Sequence, residues 1–362
     1  MIKKFDEVFV DKTRLGKKIP KEEYKKKGKY IIIDQGKDKI AGFTDNEDGI
    51  FTDVPTIIFG DHTRIIKYID KPFFLGADGV KVLKSKINNA NYKYLYYALK
   101  AAYIPNTGYN RHFKWLKKVS INYPSFEKQK RIVKLLDNLS EVKNKKNEEL
   151  KLCDTLIKAR FVEMFGDLKF DTPVSKYIES LTAGKSLAGK EKCTNKVLNT
   201  GAVSYDKFKN DYKYLPSNYV PDENNKVRTG NVLISRMNTQ ELVGATAYVW
   251  EAPENTYLPD RLWRANLKEN VNSIFLWQVL IHPLLKLQIQ RVSSGTSGSM
   301  KNISKSNFLK LKVPDVNEES QNKFASFVQQ VDKSKVVNVS IMKYIISIRF
   351  YLYFKENKEG AR

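Results

Sequence analysis

Two polar stretches that precede similar strands carry the side chains best suited to binding a charged ligand. One is GYNRHFK, Gly108 to Lys114, whose Tyr, Asn, Arg, His and Lys side chains suit phosphates and base edges. The other is SSGTSGSMKN, Ser293 to Asn302, whose Gly and Ser would let backbone amides approach a phosphate. The resulting candidate nucleic-acid contacts are Tyr109, Asn110, Arg111, Lys114, Thr296, Ser297, Lys301 and Asn302.

Two further segments lie where strands are predicted to end. In GDHTR, His62 and Arg64 occupy a strand–loop corner, which is either a DNA contact or an ordinary polar loop. In ISRMNTQ, Arg236 and Asn238 could read bases, and an ordinary turn is the alternative. Both segments are therefore candidate contacts.

Aromatic residues accompany some of these polar groups. Arg261 and Arg264 flank Trp263 in YLPDRLWRAN. We predict Trp263 in the core and both arginines as candidate DNA contacts, although one could instead belong to an internal ion pair. A tyrosine cluster is predicted to pack a helix rather than to stack on bases, and it comprises Tyr92, Tyr94, Tyr96 and Tyr97.

Patterns typical of catalysis are weak. GKSLAGK, Gly184 to Lys190, fits seven positions of a P-loop, but Glu191 follows where Ser or Thr should hold magnesium. The three histidines match no metal-ligand spacing. The sequence has neither an Asn-Pro-Pro-Tyr-like methyltransferase loop nor a glycine-rich cofactor loop. We therefore expect no catalytic residue, metal or cofactor in this chain.

The charge balance favours a polyanionic partner. The 362 residues include 64 Lys and Arg against 40 Asp and Glu, a formal charge of +24. Such an excess makes nucleic acid the first candidate. The alternative is a solvated basic surface, because Lys greatly outnumbers Arg.

Other features of composition favour the cytoplasm. Cys153 and Cys193 have no CxxC partner, and the first residues lack the apolar core of a signal peptide. The longest apolar run, Ile341 to Phe354, contains two charges and is too short to span a bilayer.

One long helix must position these groups. Glu127 to Gly166 has no Pro and no Gly before its last residue, and its apolar residues recur at steps of three and four. About 40 residues would form a rod of roughly 60 Å. The apolar stripe lapses between Lys143 and Glu149, where contact with another subunit is one possibility.

The segments on either side of this helix resemble each other. GNVLISR echoes PTIIFGDHTR, IFLWQVLI echoes YKYLYYAL, Gly184 matches Gly16 and Asp260 matches Asp78. Gly108–Pro124 and Gly298–Pro314 share an interval of 16, which places Val119 on Leu309, Ile121 on Leu311 and Tyr123 on Val313. After each proline a helix begins, at Glu127-Lys128-Gln129 and at Glu319-Ser320-Gln321. We therefore predict a duplication.

The duplicated domains, the helix entries YPSFEKQKRIVKLL and VPDVNEESQNKFASFV, and the Phe165-Gly166-Asp167 close of the first helix resemble specificity subunits of type I restriction-modification systems. The resemblance covers essentially the whole chain. It implies an α+β fold with two similar mixed α/β target-recognition domains, separated by long helices that pair as an antiparallel coiled coil. The implied segments are 1–125 and 167–315 for the domains and 126–166 and 316–362 for the helices.

The resemblance also implies a division of labour. Each domain would read one half of a split DNA site, and the helices would set the gap. The helices would dock two adenine-N6 methyltransferase subunits and, through them, the translocating nuclease subunits. S-adenosylmethionine, ATP and magnesium would serve those partners. The alternatives are a coiled-coil interaction scaffold, or the recognition part of a single-chain modification-restriction enzyme.

The second helix departs from this pattern near its end. After about Val336 the sequence is rich in β-branched and aromatic residues, which are poor helix formers. The outer half of the coiled coil is therefore expected to be atypical.

Overall fold

The computed structural model describes residues 1–76, 78–295, 300–335 and 340–341. Apart from 340–341, the described residues divide into two units, 1–148 and 149–335, and the boundary between them falls inside the longest helix. The helices of the described residues are α1 (Phe5–Val8), α2 (Tyr92–Ala101), α3 (Phe113–Leu116), α4 (Phe126–Phe165), α5 (Ser273–Leu280), α6 (Pro283–Val292), α7 (Lys305–Leu309) and α8 (residues 318–335).

The strands are short, and most hold apolar residues that face a core on one side. In the first unit they are β1 (Ile2–Lys4), β2 (Phe9–Asp11), β3 (Tyr30–Ile33), β4 (Gly42–Thr44), β5 (Thr56–Gly60), β6 (Ile66–Ile69), β7 (Phe73–Leu75), β8 (Val80–Ser85) and β9 (Ser120–Asn122). In the second they are β10 (Phe170–Pro173), β11 (Ile178–Thr182), β12 (Lys196–Leu198), β13 (Val203–Ser204), β14 (Lys207–Phe208), β15 (Tyr212–Tyr214), β16 (Val232–Ser235), β17 (Met237–Asn238), β18 (Thr246–Tyr248), β19 (Thr256–Tyr257), β20 (Leu262–Leu267), β21 (Lys301–Asn302) and β22 (Lys312–Pro314).

The two units have the same sheet topology. The first contains a four-stranded sheet in the order β2-β8-β5-β6, and the second contains β11-β20-β16-β18. The three-stranded sheets of the two units, β4-β3-β7 and β15-β12-β19, also match each other. Each has one antiparallel and one parallel pair of strands. The predicted duplication is therefore confirmed at the level of strand order and direction.

Equivalent residues make equivalent contacts. In the first unit, Lys18 lies two positions after Gly16 and pairs with Asp78. In the second, Ser186 lies two positions after Gly184 and its hydroxyl hydrogen-bonds Asp260. Each loop is thus held to an aspartate that lies two positions before a strand, Asp78 before β8 and Asp260 before β20. The predicted match of Asp78 with Asp260 therefore holds in the structure.

The predicted alignment of the last strand is wrong by two residues. The Phe5 amide donates to the Val119 carbonyl (3.1 Å), and the Val174 amide donates to the Leu311 carbonyl (2.8 Å). Val119 therefore corresponds to Leu311 and not to Leu309. A slip of two residues leaves the same side chains on the same face of a strand, so the apolar pattern cannot detect it.

The long helix is present as predicted, over Phe126–Phe165. Its first half contributes Ile132 and Leu136 to the core of the first unit. Its second half contributes Ile157 and Phe161 to the core of the second. Each half is therefore anchored by side chains of its own unit.

Within the second unit, α4 and α8 run antiparallel. Lys335 Nζ lies 2.6 Å from Asp154 Oδ1, while the rings of Phe161 and Phe324 pack edge-on with centroids 5.6 Å apart. Moving toward the end of α4 thus means moving toward the start of α8. The predicted pairing is confirmed over this stretch, and the atypical segment after about residue 336 lies outside the described residues apart from 340–341.

A buried glutamine secures the start of each long helix. Gln129 Nε2 donates to the Pro124 carbonyl, and Gln321 Nε2 donates to the Val316 carbonyl, both at 2.9 Å. Gln321 Oε1 also accepts from the Asn272 amide at 3.0 Å. The equivalent oxygen of Gln129 has no partner among the described residues. The start of the helix is therefore held by one more side-chain hydrogen bond in the second unit.

Replacement of these glutamines should show that difference. We expect Gln321→Ala to cost about 2 kcal/mol of unfolding free energy, because two buried hydrogen bonds are lost. Gln129→Ala should cost about 1 kcal/mol. Urea unfolding followed by circular dichroism measures both, with exposed Gln329→Ala as the control. Equal losses for the two buried glutamines would contradict the asymmetry.

Candidate nucleic-acid interface

Three loops of the first unit converge on Asp61, which follows β5 and is 4% exposed. The Asp61 amide donates to the Gly79 carbonyl at 2.6 Å. Its carbonyl accepts from the His112 amide at 2.8 Å, and its Oδ1 accepts from the Phe113 amide at 2.7 Å. Asp61 thus joins the loop after β5, the loop before β8 and the loop before α3. The sequence pointed to the neighbours His62 and Arg64 and not to Asp61, because neither its burial nor its distant backbone partners can be read from the chain.

The Gln35 side chain connects two of the same loops by hydrogen bonds. Its Nε2 donates to the Asp78 carbonyl at 3.0 Å, and its Oε1 accepts from the His62 amide at 3.1 Å. Gly79 has φ +93°, and a Cβ there would lie 2.6 Å from the Gln35 amide group. Only glycine fits this close approach.

An aromatic pair lies at the exposed tip of this loop cluster. The rings of His62 and Tyr109 stack with centroids 4.9 Å apart and planes 12° apart. Tyr109 is 89% exposed, so its ring is accessible to a partner molecule. The structure therefore places two predicted contact residues side by side.

The same loops carry charged groups. Arg111 is exposed, and Asp78 is paired with Lys18. The hydrogen bond from Lys18, and then the charges of Lys18 and Arg111, lower the pKa of Asp78. Asn110 Nδ2 donates to the carbonyl of Thr107, so its side chain stabilises its own loop.

Other residues of the first unit have structural contacts. Arg64 Nη1 donates to the Ile104 carbonyl at 3.1 Å, although the side chain remains half-buried at the edge of the cluster. Lys114 lies on α3, with its Nζ 5.6 Å from the centre of the Trp115 ring. His112 is fully buried, and its Nδ1 donates to the Asp61 carbonyl at 3.0 Å. The histidine of GYNRHFK is thus a structural residue.

In the second unit a small β-ribbon takes the equivalent position. β17 pairs with β21, so that Asn238 faces Lys301 and Met237 faces Asn302. The Arg236 amide donates to the Arg261 carbonyl at 3.1 Å. The predicted residues that meet here are Arg236, Asn238, Arg261, Lys301 and Asn302; Thr296 and Ser297 lie outside the described residues.

Arg264 lies apart from this ribbon. It is inside β20, where its Nε donates to Asn266 Oδ1 at 3.1 Å and its Nη1 donates to the Asn224 carbonyl at 2.9 Å. Burial, and then the charge of Arg228, lower its pKa. Its partners are amide and carbonyl oxygens, which favours a structural role. Trp263 is fully buried, as predicted.

The P-loop-like segment has a packing explanation. Residues 183–189 form neither helix nor strand. A Cβ on Gly184 would lie 1.9 Å from the Leu258 carbonyl oxygen, so this glycine is needed for close backbone packing. Among the described residues, no three His, Cys, Asp or Glu side chains are placed to hold a metal ion. Nor does any described helix combine the length and apolarity needed to cross a membrane.

The role of Asp61 can be tested by hydrogen exchange. Asp61→Ala removes the acceptor of the Phe113 amide, so exchange in residues 106–113 should become at least about tenfold faster. Asp61→Asn keeps the oxygen acceptor and should stay close to the parent protein. If both variants exchanged like the parent, Asp61 would not organise these loops.

Comparison with known proteins agrees with the fold. Residues 1–152 match the family model of the type I restriction modification DNA specificity domain. No curated protein sequence matches the chain significantly.

Solved structures resemble the chain over nearly its whole length. One is the crystal structure of the S subunit of a type I restriction-modification system from M. genitalium, with 17% identity and a TM-score of 0.62 over 97% of this chain and 94% of that one. Another comes from a study of complex assembly and conformational transition of the type I R-M system, with 14% identity and a TM-score of 0.50 over 98% of this chain and 96% of that one. The first 152 residues thus match the type I restriction modification DNA specificity domain, and the fold of the chain is similar to that of the S subunits of these systems.

Proposed function

We propose that each unit reads one half of a bipartite DNA site through its loop cluster. The observation that carries this proposal is the duplicated topology. The same sheet order places one cluster after β5 in the first unit and another after β16 in the second. On this proposal, residues 1–125 and 167–315 are the two target-recognition domains.

The net charge supports capture of DNA. With a formal charge of +24, the chain would release counterions from the phosphate backbone on binding. The affinity should therefore fall steeply as salt is added. This electrostatic term acts on any sequence, so specificity must come from the loop clusters.

The two clusters differ in chemistry and should therefore recognise different half-sites. In the first, the stacked pair of His62 and Tyr109 offers apolar ring surface, and the exposed Arg111 lies two positions after Tyr109 in the same loop. In the second, the ribbon offers Arg236 and Asn238, side-chain types that suit guanine and adenine edges respectively. An asymmetric target site follows from this difference.

The long helices would set the distance between half-sites. A 40-residue helix is about 60 Å long, comparable with nearly two turns of B-DNA. We further propose that α4 and the helix that begins with α8 dock two adenine-N6 methyltransferase subunits, and through them the translocating nuclease subunits. The chain itself would be non-catalytic, and S-adenosylmethionine, ATP and magnesium would serve those partners.

Paired loop variants test whether each unit reads its own half-site. His62→Ala with Tyr109→Ala should relax the sequence preference in one half, and Arg236→Ala with Asn238→Ala in the other, by about 1–3 kcal/mol per lost base contact. The measurement is selection of bound duplexes from a random pool by the chain assembled with its methyltransferase subunits.

Lys26→Ala with Lys27→Ala, two exposed lysines outside the loop cluster, is the matched control. It should weaken binding to all sequences alike. Relaxation of both half-sites by either loop variant would contradict separate readers.

Deletion of one heptad tests the spacer. Removal of Glu141–Asn147 keeps the apolar stripe in phase and shortens α4 by about 10 Å. The gap between methylated half-sites should then shrink by about three base pairs, given 3.4 Å per pair. A variant with the same heptad replaced by polar helix-forming residues is the control for length. An unchanged gap after the deletion would contradict the role of α4 as a spacer.

A further inference from the structure

A cavity of about 780 Å³ lies in the first unit, beside the loop that carries Arg64. Its walls come from α2, from β6 and from the segment between β3 and β4. Asp137 of α4 also lines it. This volume falls within the range of small-molecule sites in proteins.

The turn that carries Arg64 beside the cavity has an equivalent in the second unit. The Arg64 amide donates to the Gly60 carbonyl, and the Gly244 amide donates to the Ser235 carbonyl, each at 2.7 Å. Arg64 and Gly244 both have positive φ, 61° and 72°, so they are equivalent residues of one turn.

In the second unit, helix α6 covers that turn. A Cβ on Gly244 would lie 2.6 Å from the fully buried Ile289 side chain, and Lys286 Nζ donates to the Gly244 carbonyl at 2.9 Å. In the first unit, residues 102–112 between α2 and α3 form no helix, and the cavity takes the place of α6.

The lining of the cavity is cationic and unlike the apolar face that α6 presents. Lys37 and Lys39 are exposed at its rim, and neither is paired with a carboxylate within the described part of the chain. Lys100 Nζ donates to the Tyr96 hydroxyl at 2.9 Å, which leaves its remaining donors available. These lysines form a surface suited to a phosphate.

Aromatic and acidic groups complete the lining. The half-buried Tyr96 ring lies 6.3 Å from that of Tyr68, with 55° between their planes. The Tyr97 hydroxyl donates to Asp137 Oδ1 at 2.6 Å, and Lys93 Nζ lies 2.7 Å from Asp137 Oδ2. Asp70 is exposed and lines the cavity. A ligand with a flat ring, amino or hydroxyl donors and an anionic end would match these groups.

We propose that this cavity binds a nucleoside phosphate. The Tyr96 ring would pack against the base, Lys37, Lys39 and Lys100 would hold the phosphate, and Asp70 would accept hydrogen bonds from amino or hydroxyl groups. The nucleotide could be free in solution or part of the DNA that the adjacent Arg64 loop would contact.

Binding of ATP, pyrophosphate and a 5′-phosphorylated single-stranded oligonucleotide to the full chain tests this proposal by calorimetry. Lys37→Ala with Lys39→Ala should weaken binding of ATP and pyrophosphate by about tenfold or more. Tyr96→Leu should weaken ATP by about tenfold and leave pyrophosphate unchanged, because base–aromatic stacking is lost. Lys26→Ala with Lys27→Ala is the matched control for ATP and pyrophosphate, and unfolding curves verify that each variant is folded.

The outcomes separate the possible sources. Binding of ATP that depends on Tyr96 and on both lysines supports a site for free nucleotides. Binding of the oligonucleotide alone, with the same dependence, supports a nucleotide of DNA as the occupant. Equal affinity for ATP and pyrophosphate without any effect of Tyr96→Leu would overturn the proposal in favour of a simple anion site. Absence of binding by all three probes would also overturn it.

Discussion

A helix of 40 residues cannot bury its own apolar stripe, and the fold depends on how that constraint is met. In α4 each half is buried by a separate core, with Ile132 and Leu136 in the first unit and Ile157 and Phe161 in the second. In the second unit, α8 runs antiparallel to α4 and supplies Phe324 to the shared core. The helix is therefore ordered by tertiary packing more than by intrinsic propensity.

Duplication then lets one scaffold present two different surfaces. The four-stranded and three-stranded sheets repeat in strand order and direction. The loops at equivalent ends do not repeat, since one is organised by buried Asp61 and the other by pairing of β17 with β21. The two units also differ at the turn beside this cluster: a cavity lies next to Arg64 in the first unit, whereas helix α6 covers the equivalent turn in the second. A rigid scaffold with variable loops is a common arrangement for recognition proteins.

Much of the architecture could be read from the sequence by itself. The period of apolar residues determined α4, the matched segments determined the duplication, and the charge of +24 indicated a polyanionic partner. Most of the candidate contact residues also proved to lie in two clusters. These signals are local in the chain, or repeat in it, so no tertiary information was needed to detect them.

Only the tertiary structure decided the rest, because it depends on which distant residues meet. The alignment of Val119 with Leu311 rests on the hydrogen bonds that their carbonyls accept from Phe5 and Val174, and a shift of two residues leaves the apolar pattern unchanged. The burial of His112, and the distance of Arg264 from the ribbon, follow from side-chain partners that spacing does not reveal. The importance of Asp61 has the same origin, since its partners lie far away in the chain.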